Sequence, residues 1–112
     1  MIAMLMGLKS ISPKQLHERM QAGPLTMVDV NAPQAWLKAR VPGAINLSVD
    51  FAPGALPADK HGSLVFYCSN PLCTKAPRAA RRAKQMGYAD VRVMSAGIAG
   101  WTDARLPVDS GP

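Results

Sequence analysis

The sequence predicts an α/β fold, a central and mostly parallel sheet of about five strands flanked by helices. Three observations lead there. Short β-branched or apolar runs alternate with helix-length segments along the chain. The clearest run, Leu64-Val65-Phe66-Tyr67, is apolar throughout, as expected of a strand covered on both faces. The spacing between runs implies right-handed crossovers rather than hairpins.

The elements follow in order. Met1 to Leu8 is apolar but has no basic leader or small-residue cleavage site, so it reads as an N-terminal strand or extended segment over the core. Ser12-Pro13-Lys14-Gln15 is a capping box with proline at the first helical position. Leu16 and Met20 share one face of that helix, and Gly23-Pro24 stops it. Thr26 to Val30 is a strand. Asn31, with Gln34 three residues on, is expected to cap a second helix through Trp36 to Ala39. Pro42-Gly43 is a turn, and Ala44 to Leu47 a second strand. Asp50 to Gly62 reads as a loop with at most one helical turn. After Leu64–Tyr67, a loop from Cys68 to Thr74 leads into a helix from about Lys75 to Met86, closed by Gly87. Val91 to Met94 is a strand, Gly97 to Ala104 a short helix, and Pro107 ends the regular structure. The organisation is an apolar segment over 1–10, one domain over 11–108 and a tail over 109–112.

Composition narrows the function classes. The chain has 112 residues, 48% hydrophobic and 18% charged, which excludes a disordered polymer. Aromatics are 5%, too few for a platform that stacks single-stranded nucleic acid. No helix-turn-helix or zinc pattern points to DNA. Two cysteines make neither a disulfide scaffold nor a closed four-cysteine zinc site. No apolar run approaches the roughly 18 residues of a membrane span. The net charge is +6, and the segment Lys75 to Lys84 supplies five basic residues and no acid. The basicity is therefore local, suited to a small anion or an acidic surface.

Cys68 is the first candidate for chemistry, its other reading being a small buried hydrophobe. It leaves the most buried strand at its carboxyl end, where open α/β sheets bind ligands. The following helix offers free amides and a positive dipole end, and Lys75 and Arg78 add charge; such surroundings favour a thiolate. The amides of Ser69, Asn70, Leu72, Cys73 and Thr74 can converge on an anion at the Cys68 sulfur. Cys73 gives a C-x4-C spacing, neither a zinc knuckle nor a thioredoxin motif. It is a candidate second thiol, for a disulfide or a sulfur relay, or a residue that only packs the loop. His17 and His61 have no acid at helical spacing and read as surface residues. Asp29 is expected to make a side-chain hydrogen bond to nearby backbone.

These residues carry a resemblance. From Ile11 to Pro107 the chain resembles a single-domain rhodanese, a sulfurtransferase of the rhodanese-like superfamily. Val28-Asp29-Val30, Trp36 and Val41-Pro42-Gly43-Ala44-Ile45-Asn46-Leu47 resemble the family's "DVR…eF..gHIPGAinip" segment. Val65-Phe66-Tyr67-Cys68 resembles the strand that ends in the family's catalytic cysteine. Arg78-Ala79-Ala80 and Gly87-Tyr88 resemble the next helix and its end, and Ser95 to Trp101 resembles the "l.GGi.aW" segment. The departures are Asn31 where Arg is frequent, Ala39-Arg40 for Gly-His, and Val41 for Ile. The loop Cys68-Ser-Asn-Pro-Leu-Cys73 resembles a "C.GP.C" subgroup with Asn70 in place of glycine.

The resemblance implies a rhodanese-like fold and transfer of sulfane sulfur. Cys68 would take sulfur from a small anionic donor such as thiosulfate. It would pass the sulfur to a thiol, a cyanide-like acceptor or a partner protein. No metal or organic cofactor, nucleic acid or membrane partner is implied, and the expected location is cytoplasmic. Two rivals stand beside this reading. One is a non-catalytic or redox-sensing module that uses a Cys68–Cys73 disulfide. The other is a cysteine phosphatase, which needs C-x5-R; Thr74 and Ala79 occupy the arginine positions after the two cysteines.

Overall fold

The computed structural model describes residues 7–112. The elements run β1 (Lys9–Ser10), α1 (Pro13–Ala22), β2 (Thr26–Asp29), α2 (Pro33–Lys38), β3 (Ile45–Asn46), a 3-10 turn (Pro53–Ala55), β4 (Ser63–Tyr67), α3 (Lys75–Gln85), β5 (Asp90–Val93) and α4 (Gly97–Asp103). The five strands form one sheet in the order β1-β5-β4-β2-β3, with every pairing parallel. The predicted α/β class therefore holds. Most of the apolar segment predicted at the N-terminus lies outside the described residues; Leu8, just before β1, is buried in the core.

Local signals explain most boundaries. Ser12 Oγ accepts from the Gln15 amide at 3.1 Å while the Gln15 side chain accepts from the Ser12 amide at 3.0 Å. This reciprocal pair satisfies two amides that an α-helix leaves unpaired at its start. Gly87, with φ of 99°, lets the chain turn out of α3 in a conformation costly for a residue with a Cβ. Asn31 does not cap α2: the N-cap is Ala32, with no side-chain cap bond. Asn31 is instead held at the end of β2, its amide donating to Asp29 Oδ1 at 2.8 Å and its carbonyl accepting from Asn46 Nδ2 at 2.9 Å. Tertiary partners outcompete the capping geometry there.

The central strand β4 separates two cores. Side chains alternate across a strand, so Leu64, Phe66 and Cys68 face one core, with the alanines of α3. Val65 and Tyr67 face the other, with Leu16 of α1 and Trp101 of α4. Ala76, Ala79, Ala80 and Ala83 are all buried, and their small size seats α3 close to the sheet. The last residues are tied to the domain. Arg40 and Asp109 exchange backbone hydrogen bonds at 3.0 Å, and the Gly111 amide donates to the Leu37 carbonyl at 2.7 Å.

Candidate active site

The site lies where the topology divides. From β2 the chain moves to β3 on one side of the sheet; from β4 it moves to β5 on the other. The carboxyl ends of adjacent strands whose connections diverge leave a crevice, the usual ligand position in such sheets. Cys68 stands there, one residue past β4 and only 3% exposed.

The loop after Cys68 folds back on itself. The Leu72 amide donates to Asn70 Oδ1 at 2.9 Å, and the Cys73 amide to the Asn70 carbonyl at 3.1 Å. Asparagine favours this side-chain turn, which suits Asn70 at a position the resembled subgroup fills with glycine. The turn returns Cys73 to Cys68, and the two form a disulfide with a Cα–Cα distance of 6.4 Å. Of the sequence alternatives for Cys73, the structure shows the disulfide. Two of the five amides expected to face an anion, those of Leu72 and Cys73, are thus engaged in the loop's own turn. Ser69, Asn70 and Thr74 are exposed, and the Leu72 side chain is 88% exposed at the loop tip. Thr74 occupies the N-cap position of α3 without a side-chain cap bond.

Lys75 and Arg78 lie exposed in the first turn of α3. Of the basic cluster, Arg82 is committed elsewhere: its Nε and Nη2 donate to the Phe51 carbonyl at 3.1 and 2.8 Å. Lys75, Arg78, Arg81 and Lys84 remain exposed. His17 packs edge-on against Trp101, with ring centroids 5.9 Å apart, so it is a packing residue of α1. Asp29 is fully buried and makes the expected side-chain bond to the Asn31 amide. Burial pushes its carboxyl up from the ordinary value, partly offset by the Asn31 amide and the Tyr67 hydroxyl beside it.

Sequence reasoning gave α4 no role at the site, yet α4 holds the loop in place. The Ile98 amide donates to the Cys68 carbonyl at 2.9 Å, and the Ala99 amide to the Ser69 carbonyl at 3.0 Å. Gly97 makes that approach feasible. A Cβ built there would lie 2.6 Å from Ser69 C and Asn70 N, and its φ of 68° also disfavours any side chain. The only signal in the sequence is the glycine itself. Arg40, at the family's histidine position, is likewise structural. It is 9% exposed, stacks 3.9 Å over the Trp36 ring and donates to the Gly111 carbonyl at 2.7 Å.

With this geometry in place, comparison with known proteins decides the family. The model of the rhodanese-like domain matches residues 12–104. The chain belongs to the rhodanese-like family. It is 33% identical over 103 residues to an HTH-type transcriptional regulator of Mycobacterium tuberculosis, covering 91% of this chain and 45% of that protein. The chain thus spans less than half of that relative. It is 28% identical over 106 residues to the thiosulfate sulfurtransferase GlpE of Haemophilus influenzae, covering 94% of this chain and 98% of that one. Its fold resembles the BH2092 protein from Bacillus halodurans with a TM-score of 0.84 at 22% identity, covering 96% of this chain and 80% of that one. The rhodanese-like domain has the five-stranded parallel sheet expected from its sequence, and no helix among the described residues is long and apolar enough to cross a membrane.

Proposed function

We propose that this domain is a cytoplasmic sulfurtransferase that carries sulfane sulfur as a persulfide on Cys68. The observation behind the proposal is the position of Cys68: the end of the buried central strand, in a loop braced by α4, ahead of a basic helix. The family and the full-length match to a thiosulfate sulfurtransferase support the reading.

The reduced Cys68 thiolate attacks the outer sulfur of a donor such as thiosulfate. The sulfur–sulfur bond of the donor breaks, sulfite leaves, and the persulfide remains. The Ser69, Asn70 and Thr74 amides are the loop donors assigned to the added negative sulfur, a preorganised electrostatic role. Lys75 and Arg78 raise the local concentration of the anionic donor. A thiol, a cyanide-like acceptor or a thiol-bearing partner protein then removes the outer sulfur.

The test is thiocyanate formation from thiosulfate and cyanide by reduced protein. Cys68→Ser loses the activity by at least about a thousandfold, as expected when a nucleophile is removed. Activity that survives this substitution overturns the assignment. A native chain that is inactive with thiosulfate, yet cycles between dithiol and disulfide, supports the redox-module alternative.

A further inference from the structure

We propose that Cys73 is an internal acceptor that resolves the Cys68 persulfide, so that the domain releases its sulfur as sulfide and acts as a dithiol-dependent reductase of the sulfur donor. The inference rests on the sulfurtransferase reading above and adds a second half-reaction to it.

Three observations lead to this. The Asn70 turn returns Cys73 to Cys68, and the two sulfurs are bonded. That bond is the product such a step would leave. Cys68 is 3% exposed while bonded to Cys73, and Cys73 is the thiol already held in contact with its sulfur. An intramolecular thiol held this way has a large kinetic advantage over one in solution. Cys73 is partly buried against the core and next to the exposed Leu72, so it is the more exposed residue of the pair and the one that exchange with a reductant would reach.

The chemistry balances. Cys68 thiolate and thiosulfate give the Cys68 persulfide and sulfite. The Cys73 sulfur then attacks the Cys68 Sγ. The bond from Cys68 Sγ to the outer sulfur breaks, and its electron pair leaves with that sulfur. The Cys73 proton accompanies it, and hydrosulfide departs. The outer sulfur gains two electrons, and the two cysteines lose one each on forming the disulfide. A small or protein dithiol restores the pair by exchange and is itself oxidised to a disulfide.

The experiment is a single turnover without oxygen. The full chain is reduced, freed of reductant and given thiosulfate with no acceptor. The native chain is expected to release one sulfite and one sulfide per molecule and to end two hydrogens lighter than the reduced form. Cys73→Ser is expected to release sulfite but no sulfide, and to keep one added sulfur. The proposal is overturned if the native chain keeps the sulfur and releases no sulfide, or if Cys73→Ser releases sulfide as the native chain does. A disulfide formed with neither sulfite nor sulfide also overturns it. If neither protein releases sulfite or gains sulfur, the sulfurtransferase reading itself fails. Circular dichroism of Cys73→Ser separates loss of fold from loss of the thiol.

Discussion

Gly97 shows how one residue far from Cys68 in sequence governs the loop that carries it. Its missing side chain lets the first amides of α4 reach the Cys68 and Ser69 carbonyls. Gly97→Ala places a methyl against loop backbone and strains a positive φ. The expected cost is about 2–4 kcal/mol in urea unfolding, with slower sulfur uptake at Cys68. Unchanged stability and unchanged uptake would show that the loop does not depend on this contact. At this scale the sequence was only partly legible. The place of Cys68, closing an apolar strand ahead of a basic helix, is legible, but a small buried hydrophobe fits that place as well as a reactive thiol does. The Cys68–Cys73 bond stayed open, because C-x4-C spacing does not say which way Asn70 turns the chain. Arg40 gave no signal either: its partners, the Trp36 ring and the Gly111 carbonyl, are brought together only by the folded chain.

Among the elements, those with local signals were read well. The Ser12 box, the apolar run of β4 and the alanine face of α3 each appear where local chemistry places them. The Asn31 cap failed because Asp29 and Asn46 claimed that residue. Contacts between elements were not legible, and Asp90 is the example. At the start of β5 it accepts from Ser63 Oγ of β4 at 2.6 Å and pairs with Arg92 at 3.2 Å and Arg19 of α1 at 3.5 Å. The Ser63 hydroxyl, and then the two arginines, hold its carboxyl below the ordinary value of 3.8. A depressed folded value means the stabilisation is present above the ordinary carboxylate range and is lost as pH falls through the folded value. Asp90→Asn is therefore expected to cost about 1 kcal/mol at neutral pH, a difference that shrinks as pH drops below 3.8. Urea midpoints across that range check it, and a difference that does not change with pH would contradict it.

At the scale of the whole molecule, the sheet and its two cores are a scaffold for the carboxyl end of β4. Two cores clamp β4 from both faces, so the strand that presents Cys68 is held on each side. The chain diverges after β2 and β4 beside Cys68, and the first amides of α4 hold the loop that follows it. The segment after Cys68 carries exposed residues and Cys73, which is bonded to Cys68. The fold class was legible because periodicity and element order are properties of the chain. The sequence did not show that 109–112 docks on the segment between Leu37 and Arg40, which depends on long-range backbone bonds.

The central claim is that Cys68 carries the transferred sulfur, and one measurement addresses it directly. Reduced Cys73→Ser, whose remaining cysteine is Cys68, is exposed to thiosulfate labelled in its outer sulfur and then mapped by peptide mass. The account predicts one labelled sulfur on the peptide that contains Cys68 and none elsewhere. An unlabelled Cys68 peptide from the folded variant, in a reaction where the native chain does take up the label, would contradict it.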